Sequence, residues 1–247
     1  MGHLLGGYEL MAISVSHLTL GSSTSADPST ASIDPSSGAV VLAWIGASDS
    51  FSTAEERIPD LLSISGGGAT WTKVHVVPWR LRRRSWLYVG TGWTGGADTI
   101  DLVFAGSPDQ DPAQWVWIID EATGLDETTP YSGLGIHYEE EDTDTTCTPA
   151  STDTPDTGDF TYSAMHLENN RTSLAASGFT ALGETAIGTH GVRRSETGYS
   201  SSGASSAPWT WDASAQGISG AIITLNAAGG SPPATVTGSP AIMGACF

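Results

Sequence analysis

The chain has 247 residues, 39% hydrophobic and 15% charged, the profile of a globular protein with material for one large β domain or two small ones. Asp and Glu number 27 against 9 Lys and Arg, a net charge of −18, which argues against nucleic acid as a partner because phosphate binding is driven by cations. No apolar run reaches the about 18 residues of a membrane span, so no membrane insertion is expected. The start MGHLLGGYELMAIS lacks the regions of a secretory signal, which predicts synthesis in the cytoplasm without export by the general route.

Short β-type runs recur between Gly, Pro, Ser and Asp clusters. The first is Ala12 to Leu20. Gly38 to Ala47, GAVVLAWIGA, is apolar on both faces and reads as a central strand. Leu61 to Ser65 and Thr70 to Val77 flank the glycine turn Gly66 to Gly68 and read as a hairpin. Ser85 to Thr91, Thr99 to Ala105 and Gln114 to Asp120 follow, and Phe160 to Leu167 and Gly217 to Asn226 are the last strong strands. The only helical signal, Thr53 to Leu62, is cut to about a turn by Pro59.

The expected fold is all-β: a two-layer antiparallel β-sandwich or jelly-roll-like domain over residues 11–228. An N-terminal arm, residues 1–10, precedes it, and a Gly/Pro linker and docking arm, residues 229–247, follows. Trp44, Trp71, Trp86, Ile100, Leu102, Phe104, Trp117 and Ile222 lie on apolar strand faces and are expected in the core.

The chain lacks the GxSxG, HExxH, GxxxxGK[ST] and dinucleotide fingerprints, and its six histidines are scattered singly, so no enzyme, cofactor or metal site is expected. Asp120, Glu121 and Asp126 are the weak candidates for a glycosidase-type acid pair. The acidic segment from Tyr138 to Phe160 reads as a solvated loop rather than a calcium site, since the EF-hand glycine and distal glutamate are missing. Cys147 and Cys246 read as free thiols, and Asn170-Arg171-Thr172 as a chance glycosylation match.

Contacts with partners are sought elsewhere. Trp79, Trp93, Trp209 and Trp211 stand beside Gly, Pro or Arg in loops, where they either meet sugar or protein or cap the sandwich ends. Arg80, Arg82, Arg83 and Arg84 form the one basic cluster of an acidic chain and are candidates to dock on acidic groups of a neighbouring subunit. Val236, Ile242, Met243 and Phe247 give the C-terminal arm apolar side chains suited to a partner surface.

In chain order, SGGGATW, SWLYVGTGWTGGADTIDLVFAGS and VWIIDEATGLDETTPY resemble a β-sandwich module of tailed-phage minor tail proteins and related virion-surface and bacterial surface proteins. Gly66 to Trp71, Trp86 to Tyr88, Asp98 to Phe104 and Gly124 to Tyr131 occupy its motif positions, and the likeness covers about Met11 to Ala227. TVTGSPA is similar to the low-complexity ends of actinobacterial-phage minor tail proteins, whereas the RRR cluster and the end GACF depart from the pattern. The resemblance implies a non-enzymatic virion subunit, a minor tail or surface-attached adhesive or decoration protein that contacts other virion proteins and forms a homo-oligomer. The alternatives are a carbohydrate-binding module for host-surface glycans and a head decoration protein.

Overall fold

The computed structural model describes residues 12–49, 58, 60, 62–78, 83–105, 112–126, 128–139, 144–168, 171–172, 174–186, 192, 194–213 and 217–228. The N-terminal arm, the C-terminal linker and docking arm, and most of the expected helical turn lie outside them.

Two five-stranded antiparallel sheets pack face to face as a β-sandwich, and the chain completes one before starting the other. Strands β1 (Ser14–Ser23), β2 (Val40–Ser48), β4 (Thr70–Pro78), β5 (Arg83–Thr91) and β7 (Gln114–Thr123) form the first, in the order β1-β7-β2-β5-β4. Strands β8 (Tyr131–Glu139), β10 (Phe160–Leu167), β12 (Thr180–Ala186), β13 (Arg194–Ser200) and β15 (Ile218–Leu225) form the second, in the order β12-β13-β10-β15-β8. Between the sheets, Leu42, Trp44, Leu87, Val89 and Val116 meet Tyr162, Ala164, Ala221, Ile223 and Leu225.

The central strands of both sheets are covered on their outer faces as well, which extends the two-layer expectation, while the edge strands keep exposed residues such as Leu20, Ile136 and Tyr138. A ladder of β3 (Leu62–Ser65) with β6 (Asp101–Phe104) covers the first sheet, setting Leu62, Leu102 and Phe104 against Ile45, Trp86 and Trp115. The short strands β9 (Thr146–Cys147), β11 (Ala175–Ala176) and β14 (Trp209–Thr210) cover the second, packing Cys147, Ala176 and Trp209 on Met165, Leu167 and Ile222. A strand covered on both sides has no polar face, so β2 and β15 are buried along their whole length.

The covering ladder overturns one local expectation. Leu62–Ser65 and Thr70–Pro78 are not a hairpin: β3 pairs with β6, and β4 with β5. Gly66, Gly67 and Gly68 all have positive φ and carry the chain from one layer to the next. The crossing is tight, for a Cβ on Gly66 would lie 2.2 Å from Thr99 O, and Asp98 Oδ2 accepts the Gly67 N–H at 2.7 Å. Of the expected core, Trp71 alone is only half-buried; its indole lies over Gly90, its cross-strand partner.

The two halves follow the same path. Reading the second sheet as β8-β15-β10-β13-β12 matches it strand for strand to β1-β7-β2-β5-β4, and β11 with β14 corresponds to β3 with β6. The bridges Ser29 to Asp101 and Ile33 to Asp98 flank β6 as β9 flanks β14. Register shifts recur in corresponding edge strands: between His17 and Thr19 in β1 and in the β8 ladder, and between Lys73 and His75 in β4 and Ala181 and Glu184 in β12. The turns Pro35-Ser36-Ser37-Gly38 and Pro155-Asp156-Thr157-Gly158 end alike, with Ala39 N bonded to Ser36 O at 3.0 Å and Asp159 N to Asp156 O at 3.1 Å. After β7 and β15 the chain pairs with its own counterpart: Leu125 bridges Ala227, and Ala228 N donates to Gly124 O at 2.9 Å. Antiparallel pairing of corresponding segments is what a pseudo-twofold axis between the halves requires.

Candidate functional site

Three of the four loop tryptophans expected as contacts are buried: Trp93 at 5%, Trp209 at 1% and Trp211 at 5% exposure. Trp93 lies on Gly67, where only the missing Cβ leaves room, and donates its indole N–H to Gly96 O at 3.2 Å. Trp209 donates to Ser163 Oγ at 2.9 Å and so fastens the outer cover to the second sheet, and Trp211 donates to Asp144 O at 3.0 Å within the cover itself. None of the three forms an exposed platform: Trp93 packs in the cluster outside the first sheet, and Trp209 and Trp211 in the one outside the second. Trp79, Arg80, Arg82 and the docking-arm residues Val236, Ile242, Met243 and Phe247 lie outside the described residues.

The described arginines of the basic cluster engage acids of their own chain. Arg83 Nη2 donates to Glu168 Oε1 at 2.6 Å across the two sheets. On the other face of β5, Arg84 acts on Asp60, whose carboxyl burial pushes up but whose net shift is downward. Hydrogen bonds from Lys73 and Trp86, with the charges of Lys73 and Arg84, outweigh burial there. The acids Asp120, Glu121 and Asp126 do not converge. Asp120 points inward from β7, Glu121 accepts from Ser16 and Ser36, and Asp126 Oδ1 closes a turn by accepting the Thr128 and Thr129 N–H groups at 2.8 and 2.7 Å. Among the described residues no group of three or more His, Cys, Asp or Glu side chains is placed to hold a metal ion.

Instead, a polar belt runs through the interior of the sandwich. Asp120, fully buried, takes His17 Nδ1 on Oδ1 at 2.8 Å and the Tyr162 hydroxyl on Oδ2 at 2.9 Å, so one carboxylate ties β1 and β7 to β10. Burial, then the charge and hydrogen bond of Asp120, drive the Tyr162 pKa well up, against a smaller opposing bond with Thr197. Further along, the buried His166 shares a hydrogen bond between Nδ1 and Ser85 Oγ at 2.8 Å and stacks obliquely on Trp44 with centroids 4.5 Å apart. Its cross-strand neighbours are Ser195 and Ser219, and Gly46 faces its ring from the opposite sheet.

At the same end of the interior, His166 Nε2, Trp44 Nε1, Ser48 Oγ, Gln114 Oε1, Ser195 Oγ and Ser219 Oγ are buried without a hydrogen-bond partner among the described residues. Burial holds His166 well below the usual histidine range, so this end carries neutral hydrogen-bonding groups and the compensated Arg83–Glu168 pair. The Ser85–His166 pair has the residue types of a nucleophile and its base, yet both side chains are inaccessible, and the bond acts as a tie between sheets. Two other buried groups are perturbed. Burial pushes His75 down to about 4, and pushes Glu196, beneath the outer cover, up to about 7 against the opposing charge of Arg194.

Sequence reasoning missed His17, Ser85, His166 and Glu196. The available signal was a polar residue at an inward position of an otherwise apolar strand, as in SWLYV and YSAMHL.

One cavity of about 410 Å³ opens at the opposite, apolar end of the interior. Its lining includes Ala39, Val40, Leu125 and Pro130, with Thr91 and Asp126 as polar members. Fold and interior together define a duplicated all-β sandwich held by cross-sheet polar ties. No family model, no curated protein and no solved structure matches the chain.

Proposed function

We propose that this chain is a non-enzymatic structural subunit of a bacteriophage particle, a minor tail or surface-attached adhesive or decoration protein. The observation that carries the reading is the burial of both faces of the central strands of both sheets. Trp44, Trp86, Trp115 and Trp209, the largest fully buried side chains, are spent on packing, which suits a rigid spacer. Of the segments that carry the resemblance, Gly66 to Trp71 is the crossing from the outer ladder to β4 and Trp86 to Tyr88 lies in β5. The acidic exterior suits a particle surface. In this reading the segment 229–247 docks on a neighbouring subunit of the homo-oligomer or on the particle.

The test is direct. Mass spectrometry of purified particles should find the chain in fixed stoichiometry, and electron microscopy with a labelled antibody should place it on tail or head. Absence from purified particles, or particles of unchanged architecture and infectivity without it, would overturn the proposal.

A further inference from the structure

At the cavity of the apolar end the two halves differ in the residue that follows the turn glycine. After the turn glycine Gly158 the second half carries Asp159. Its Oδ1 accepts the Ala227 N–H at 2.9 Å and its Oδ2 the Asp156 N–H at 3.0 Å, so the carboxylate occupies the space between the turn and the segment following β15. After the corresponding Gly38 stands Ala39, whose methyl reaches no such partner, and the space between this turn and the segment following β7 is the 410 Å³ cavity.

Its lining has two characters. Ala39, Val40, Leu125 and Pro130 give an apolar wall, and Val40 and Leu125 are themselves buried. Asp126 adds a carboxylate fixed in direction: Oδ1 is held by the Thr128 and Thr129 N–H groups and the Thr129 hydroxyl, while Oδ2 accepts no hydrogen bond among the described residues. The two backbone bonds, largest first Thr129 and then Thr128, hold its pKa below the usual carboxylate value, so the charge is present at neutral pH. Volume, wall and charge match one chemistry: a short hydrocarbon stem packing on the wall and a cationic head on the carboxylate. The net charge of −18 draws such ligands toward the molecule.

We propose that this cavity binds an aliphatic cation, an ammonium or guanidinium head on a short hydrocarbon stem. The head is supplied either by a free amine or by a lysine or arginine side chain of a partner protein.

The proposal is tested on the full chain by two-dimensional NMR titration with n-butylammonium, with a capped Gly-Lys-Gly peptide, and with the neutral norleucine analogue of that peptide. Saturable shifts at Val40, Thr91 and Leu125 are expected with both cations. Affinity for the neutral analogue should be about fivefold weaker, the scale of one exposed charge pair, and the difference should shrink in high salt. Asp126→Asn should abolish the preference for the cation. Ala39→Asp, which restores the residue of the other half, should abolish binding, with unchanged thermal midpoints showing that both variants are folded. A tighter lysine peptide assigns the site to a partner protein, and a tighter butylammonium assigns it to a free amine. No saturable shift with either cation, equal affinity for the neutral analogue, or parental binding by both variants would overturn the proposal.

Discussion

Replacing Gly46 with alanine puts a methyl group between the two sheets, against the ring of His166. The added Cβ would lie 2.6 Å from His166 Cε1 and 2.7 Å from Nδ1. The ring has little room to retreat, since it is fully buried, stacked on Trp44 and bonded to Ser85. Gly46 is not among the glycines with positive φ, so the effect is a side-chain clash and not backbone strain. Overpacking of this kind costs about 1–3 kcal/mol, and loss of the Ser85–His166 hydrogen bond adds about 1 kcal/mol, giving an expected destabilisation of about 2–4 kcal/mol. Equilibrium urea unfolding followed by tryptophan fluorescence reads this directly. The double variant Gly46→Ala, His166→Ala removes the clash, so the two changes should be non-additive by about 2 kcal/mol. A Gly46→Ala midpoint within about 0.5 kcal/mol of the parent, or strictly additive variants, would refute the contact as the cause.

Other expectations concern pH and the chain end. Glu196 has its pKa raised to about 7, so its contribution to stability is full below about 4.5 and is lost as pH rises through 7. The ceiling is about 3 kcal/mol. Solvent screening brings the expected gain of Glu196→Gln at pH 8 to about 1–2 kcal/mol, with no gain at pH 4, as thermal melts at both pH values would show. His75 works in the opposite sense: with its pKa lowered to about 4, its contribution is present above about 6.5 and is lost as pH falls toward 4. His75→Leu should flatten that stretch of the pH–stability curve by up to about 3 kcal/mol, and an unchanged slope would exclude His75 as its source. A chain ending at Ala228 retains the bond from Ala228 N to Gly124 O and should melt at the parental temperature while failing to join the particle. Normal incorporation of that chain would make residues 229–247 dispensable.

The all-β class, the strong strands and most of the tryptophan core were legible in the sequence because alternation and apolar runs report burial directly. GAVVLAWIGA is apolar on both faces because a covering ladder lies outside it, but a single strand does not reveal what covers it. Partner choice was illegible for the same reason: the glycines from Gly66 to Gly68 suit a hairpin as well as a crossing, and only the approach of Thr99 and Asp98 selects the crossing. The repetition of the fold was hidden because corresponding core positions carry unlike residues, Trp44 and Gly46 in one half, Ala164 and His166 in the other. The turns ending at Gly38 and Gly158 keep a common pattern, as do the Gly-x-Thr turns that lead from Gly68 into β4 and from Gly178 into β12.

Two identical chains related by a true axis must present every feature twice, and a residue on the axis must face its own kind. One chain that runs the path twice escapes both constraints. A histidine is opposed by a glycine instead of another histidine, and an aspartate closes on one side what an alanine leaves open on the other. The molecule thereby keeps the mutual bracing of a symmetric pair while any ligand in the Ala39 cavity is held at a stoichiometry of one per chain.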